Sequence, residues 1–138
     1  MRGRAVNLVV SSFIPRQKAP TMTDIVSAYL DTWNATDAPT RKALLDQHWA
    51  TDATYVDPLA EVGGHDGIFA AIDAVHDQFP GFVFTLVSGP DSHHRHARFQ
   101  WGLGPRDAEP VIVGFDVLST DEDGRIRAVV GFLDKVPG

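Results

Sequence analysis

The sequence predicts an α+β domain, with helices packed on one face of an antiparallel sheet. Two observations carry this expectation. Apolar residues recur at helical spacing from about residue 22 to 78, and from residue 82 onward the period drops to two. A third sets the scale: 138 residues, with 43% hydrophobic and 22% charged content, suit one globular domain.

Thr21 or Thr23 can cap a first helix, whose Ile25, Val26, Tyr29, Leu30 and Trp33 form one face. Asp24, Ser27, Asp31 and Asn34 take its wet side. Asp37-Ala38-Pro39 starts a second helix, where proline suits the first turn. Its apolar positions are Ala43, Leu44 and Leu45, with His48 and Trp49 near its end. A short strand then runs to Asp57, and a glycine-rich turn from Val62 to Gly67 follows. A third helix from Asp66 to Gln78 buries Ile68, Phe69, Ile72 and Val75 and is stopped by Pro80-Gly81.

The strands come next. Phe82 to Val87 is one, turned by Gly89-Pro90-Asp91. In the next, Ala97, Phe99, Trp101 and Leu103 alternate with His96, Arg98, Gln100 and Gly102. Gly104 to Asp107 turns into a strand from Val111 to Leu118, and Asp121 to Gly124 turns into a last one from Ile126 to Leu133.

Charge and composition narrow the function. Arg2, Arg4, Arg16 and Lys18 precede the first acid, so residues 22–138 hold 8 basic against 18 acidic residues, a formal balance of −10. Such a body repels phosphate backbones and anionic surfaces, so neither nucleic acid nor a membrane is expected as a partner. No apolar run reaches the roughly 20 residues needed to span a bilayer. With no cysteine, a disulfide framework and a thiolate zinc site are both ruled out. Residues 1–21 read as a disordered basic extension or an over-assigned start, because Met22 stands just before the first helix.

Asp57 and Asp116 are the carboxylates that stand out. Asp57 ends the β-prone run Ala53-Thr54-Tyr55-Val56 and precedes Pro58, which disfavours the α conformation before it. A carboxylate there suits an unpaired base at a pocket, and Asp-Pro is equally ordinary turn chemistry. Asp116 interrupts the otherwise apolar strand Gly114-Phe115-Asp116-Val117-Leu118. Buried charge is costly, so Asp116 is expected to be paired, protonated or facing a cavity.

The element order resembles the nuclear transport factor 2-like superfamily, in its branch of SnoaL-like polyketide cyclases and ketosteroid isomerases. Tyr29 to Asp37, Ala53 to Pro58, Gly64, and Asp116 eight residues before Gly124-Arg125-Ile126 carry the resemblance, which covers nearly all of 22–136. It implies a single SnoaL-like domain over 22–138. The fold would be cystatin-like: a cone-shaped, curved antiparallel sheet wrapped around three helices. It also implies roles. Tyr29 falls on the isomerases' tyrosine that donates to the substrate oxyanion, Asp57 on their proton-shuttling base, and Asp116 on the protonated acid completing the oxyanion hole. Pocket-lining residues are then Trp33, Tyr55, Phe84, Trp101, Leu118 and Leu133.

Departures shape the expectation. The isomerases add a supporting tyrosine from the third helix, where this chain has Ile68 and Ile72; that argues against a steroid substrate. Tyr55, two residues before Asp57, is the other tyrosine and can share its face. The epoxide hydrolase branch needs an arginine two residues from a strand aspartate, and Gly114 holds that place. His94 and His96 share a strand face with Arg98, beside His93, but spacing fixes no third metal ligand, and the cluster reads as solvated. The resemblance implies as an alternative that His96 or Arg98 faces a partner subunit paired through the sheet. His48 and His76 read as helix-end residues near solvent. The Gly63-Gly64-His65-Asp66-Gly67 turn lacks the lysine of a phosphate loop.

The expectation is a pocket that binds a small apolar carbonyl compound, without cofactor or metal, in a cytoplasmic homodimer. Isomerisation, cyclisation or dehydration would use Asp57 as general base. The competing expectation is a non-catalytic ligand-binding or dimerisation module of the same superfamily.

Overall fold

The computed structural model describes residues 20–138. The expected extension over 1–21 therefore lies outside the described residues, except for Pro20 and Thr21. Three helices, α1 (Met22–Asn34), α2 (Ala38–His48) and α3 (Gly64–Gln78), share the chain's first half with two strands, β1 (Trp49–Val56) and β2 (Glu61–Gly63). Four strands complete it: β3 (Phe82–His93), β4 (His96–Pro105), β5 (Ile112–Thr120) and β6 (Ile126–Lys135). All six strands form one curved sheet that does not close, in the order β2-β1-β6-β5-β4-β3.

The helix starts follow their caps. Thr21 accepts from the Asp24 amide, and Asp24 reaches back to the Thr21 amide, a capping box. Asp37 accepts from the Thr40 amide at 3.0 Å to open α2. The inward face of α1 is the one the spacing predicts, but Asn34 is not on its wet side. Its side-chain amide pairs with the backbone of Phe84, donating to O and accepting from N at 2.9 and 2.7 Å. In α2 only Leu45 and Arg41 are buried; Ala43 is exposed and Leu44 half-buried. Trp49 belongs to β1, buried in the core, and its indole N–H donates to Thr32 Oγ1. The third helix begins at Gly64, two residues earlier than its spacing suggests. It buries Ile68 and Ile72, with Phe69 and Val75 half-buried.

Strand β3 is longer than its sequence suggests. Gly89-Pro90-Asp91 is not a turn; the strand passes through it to His93, with register shifts against β4 between Leu86, Ser88 and Asp91. Gly89 has φ +93°, and a Cβ there would meet Phe99 at 3.2 Å, so glycine absorbs the irregularity in place of a reversal. The reversal comes at His94, which has φ 51°. His94 therefore leaves the strand face it was expected to share with His96 and Arg98.

Strands β3 to β6 pair antiparallel, as the meander predicts, and β1 lies parallel to β6. That parallel pairing, between segments about 75 residues apart, sets β1 beside the meander. Inward residues alternate along β4 (Ala97, Phe99, Trp101, Leu103) and β5 (Ile112, Gly114, Asp116, Leu118), and the helices cover this face.

Candidate active site

The sheet order brings together residues far apart in sequence. In the β1–β6 ladder Val56 pairs with Val130, and in the β6–β5 ladder Gly131 pairs with Asp116. Asp57, one residue past Val56, therefore stands beside Gly131 with Asp116 on its other side. Gly131 is small enough for both: a Cβ there would lie 2.5 Å from Asp116 Oδ1 and 3.5 Å from Asp57 Cβ. Gly114 does the same for Trp101, whose indole lies where a Cβ would sit.

Asp116 is 1% exposed. Tyr29, 2% exposed on α1, donates its hydroxyl proton to Asp116 Oδ2 at 2.5 Å. The phenol is locked among rings, 5.5 Å from Trp49 and 5.4 Å from Phe99. Burial is the main cause that raises the Asp116 pKa to about 6, and the charge of Asp57 adds to it; the Tyr29 hydrogen bond and the nearby Trp101 indole hold it down. The Tyr29 and Tyr55 hydroxyls are pushed above the ordinary phenol range, chiefly by burial and then by the Asp116 charge, so both remain donors.

Asp57 is half-buried and not the unpaired base that the sequence suggests. Its Oδ1 accepts from the Leu59 and Ala60 amides, both at 2.8 Å, and its Oδ2 from the Tyr55 hydroxyl at 2.6 Å. The turn amides orient the carboxylate, and the Tyr55 hydroxyl ties it to the cavity wall.

Tyr29, Asp57 and Asp116 line one cavity of about 80 Å³. Trp33, Tyr55, Phe84, Trp101 and Leu133 line it as well. Leu118 does not: it faces inward, fully buried, but pairs with Ala97 at the filled end of the sheet. Leu59, Gln78 and Phe79 were not singled out in the sequence. Leu59 is 83% exposed and Gln78 is exposed, which places the mouth between the β1–β2 turn and the end of α3.

The end of α1 is pinned from three sides, which fixes Trp33. Asn34 grips Phe84, His76 Nε2 donates to the Trp33 carbonyl at 2.6 Å, and Arg41 donates through Nε and Nη2 to the Ala35 carbonyl. His76 thus ties two helices together rather than facing solvent. Arg41, 1% exposed, also meets Asp73 at 3.1 Å and lies 4.6 Å over the Phe69 ring. At the far hairpin, His93 and His96 rings are 5.7 Å apart and His96 reaches Ser119 Oγ. Among the described residues no group of three or more His, Asp or Glu side chains could hold a metal ion. Among them, too, no helix is long and apolar enough to cross a membrane.

The fold and cavity define a helix-backed pocket domain with two tyrosine–carboxylate pairs facing inward. A family model described as the SnoaL-like domain matches residues 26–129, and the chain belongs to that family. A candidate isomerase of the SnoaL-like family from Agrobacterium tumefaciens is 44% identical, with TM-score 0.76, over 80% of this chain and 94% of that one. A candidate polyketide cyclase from Sinorhizobium meliloti is 20% identical, with TM-score 0.62, over 78% and 93% of the two chains. A protein with a cystatin-like fold from Methylobium petroleophilum is 17% identical, with TM-score 0.66, over 90% and 82%. The last two share the fold. No curated protein matches the chain by sequence.

Proposed function

We propose that the cavity binds a compact apolar carbonyl compound and that Asp57 removes a proton beside the carbonyl. This is the chemistry of a cofactor-independent isomerase, cyclase or dehydratase. The observation that carries the reading is the pairing, in one apolar hollow, of an oriented carboxylate with a Tyr29–Asp116 pair that shares a proton. Removal of the α-proton by Asp57 builds negative charge on the carbonyl oxygen, and each preorganised donor there is worth about 3–4 kcal/mol. Asp116, with a pKa of about 6, carries a proton to donate in mildly acidic solution, and a ligand that expels water pushes it further up.

Size supports a compact substrate. A cavity of about 80 Å³ is well below the roughly 300–1,000 Å³ of sites for drug-sized ligands. The naming of the 44% identical relative as a candidate isomerase supports the reaction class. A non-catalytic pocket is the competing reading, favoured by the three hydrogen bonds that already occupy Asp57. Pairing of two copies belongs to the same proposal. The outward face of β6 exposes Val130 and Phe132 beside half-buried Phe115 and Val117 of β5, an apolar surface suited to a second sheet.

Exchange of the α-protons of cyclopentanone in deuterated water tests the chemistry. The wild type should accelerate exchange, and Asp57→Asn should lose about 10²–10⁴-fold. Asparagine keeps an oxygen for the Leu59 and Ala60 amides, so the turn survives. Equal exchange in both proteins would leave the non-catalytic reading standing.

A further inference from the structure

The side chains that line the cavity are graded by depth. Tyr29 and Asp116 are buried at its floor and Asp57 is half-buried, whereas Leu59 and Gln78 form its rim, both exposed to solvent. Between floor and rim the wall includes Leu103, Ile112 and Leu133, which offer a ligand no hydrogen bond. The polar groups within are paired with one another. Tyr29 donates to Asp116, and Asp57 accepts from the Tyr55 hydroxyl and from the Leu59 and Ala60 amides. The Gln78 amide takes part in none of these bonds, and it is the most exposed polar side chain of the lining.

Gln78 is held in place. It is the last residue of α3, and His76, two residues earlier, ties that helix to the Trp33 carbonyl at 2.6 Å. Just beyond it, the Phe79 amide donates to the Val75 carbonyl, and the Phe79 ring stacks on Phe82 with 5.3 Å between centroids. Across the mouth, the turn that carries Leu59 is fixed by the two amides bonded to Asp57 Oδ1. One side of the mouth is therefore an amide that both donates and accepts, and the other is apolar.

Charge limits what can meet that amide. Among the described residues no lysine, arginine or histidine lines the cavity, and Asp57 stands next to the mouth in a body of formal balance −10. The C-terminal end of α3 adds the negative pole of a helix. A carboxylate or phosphate is repelled there, whereas a neutral hydroxyl finds both a donor and an acceptor.

We infer that Gln78 is a specificity-determining residue that hydrogen-bonds a neutral hydroxyl at the outer end of the ligand. The ligand is then a compact hydroxy-ketone whose apolar ring fills the cavity and whose hydroxyl stays at the mouth. Leu59 favours ring carbon on its own side, which turns the hydroxyl toward Gln78. This rests on the reading of the cavity as a carbonyl site.

The test compares cyclopentanone bearing a hydroxymethyl group on its β carbon with cyclopentanone bearing an ethyl group there. Each is titrated into the wild type and into Gln78→Ala, and the Leu103 and Leu133 methyl signals in NMR report the Kd. The ratio of the two Kd values should shift about fivefold against the hydroxymethyl ketone in Gln78→Ala, as for one lost hydrogen bond. Both values come from the same variant, so any change in its stability cancels from the ratio. An unchanged ratio overturns the inference, and so does failure of both ketones to move the methyl signals up to their solubility limits. Exchange of the α-protons keeps the two readings apart. A shifted ratio without exchange supports Gln78 and removes the role of Asp57; exchange with an unchanged ratio does the reverse.

Discussion

Gly131 faces Asp116 across the β5–β6 ladder so closely that the backbone of one strand forms part of the other's carboxylate pocket. A methyl group at Gly131 would lie 2.5 Å from Asp116 Oδ1, inside any permitted contact. Gly131→Ala should therefore turn the Asp116 side chain away from Tyr29 and lower stability by about 1–3 kcal/mol, the range for overpacking a core. Urea unfolding checks the stability, and loss of cyclopentanone binding checks the displacement. Full stability with full binding would show that Asp116 is free to move.

The raised pKa of Asp116 has a consequence for stability. An acid whose folded pKa lies above its unfolded value favours folding while it is protonated, below about pH 4. That contribution is lost as pH rises through the folded value of about 6. The shift corresponds to about 3 kcal/mol across the window. Asp116→Asn removes the titrating group, so the variant's unfolding free energy should gain about 3 kcal/mol on the wild type's between pH 3 and pH 8. Parallel pH profiles for the two proteins would contradict the burial of an ionisable Asp116.

Arg41 is buried for the sake of a carbonyl rather than a charge. Its Nε and Nη2 both serve the Ala35 oxygen, whereas its partner Asp73 has a carboxylate 58% exposed. Arg41→Lys keeps the charge and loses the fork, and should cost about 1–3 kcal/mol. Asp73→Asn should cost under about 1 kcal/mol, as exposed ion pairs do. Thermal unfolding of both variants decides; a larger loss from Asp73→Asn would reverse the assignment.

Period and punctuation made most of the elements legible. The alternation of Ala97, Phe99, Trp101 and Leu103 reads directly as the inner face of β4, and Thr21 and Asp37 mark two helix starts. What escaped was set by distant partners. Gly89-Pro90 has the composition of a turn, but pairing with β4 on both sides carries β3 through it. Nothing in the sequence singles out Arg41, because Ala35, Phe69 and Asp73 reach it only in the folded chain. In the cavity, alternation shows that Leu118 faces inward but not how deep along the strand the hollow extends. Gly131, a glycine in an apolar strand, is the sequence's own mark of that close approach to Asp116.

The proposed function requires Asp57 and Asp116 to face one ligand. Carbon NMR of the two side-chain carboxyls, followed through a pH titration with and without cyclopentanone, tests it most directly. The prediction is that Asp116 titrates near pH 6 in the free protein, with its midpoint raised when Tyr29→Phe removes the hydrogen bond that lowers it. Both carboxyl signals should respond to the ketone along a single saturation curve. An Asp116 midpoint in the ordinary carboxylate range, with neither signal responding to the ketone, would contradict it.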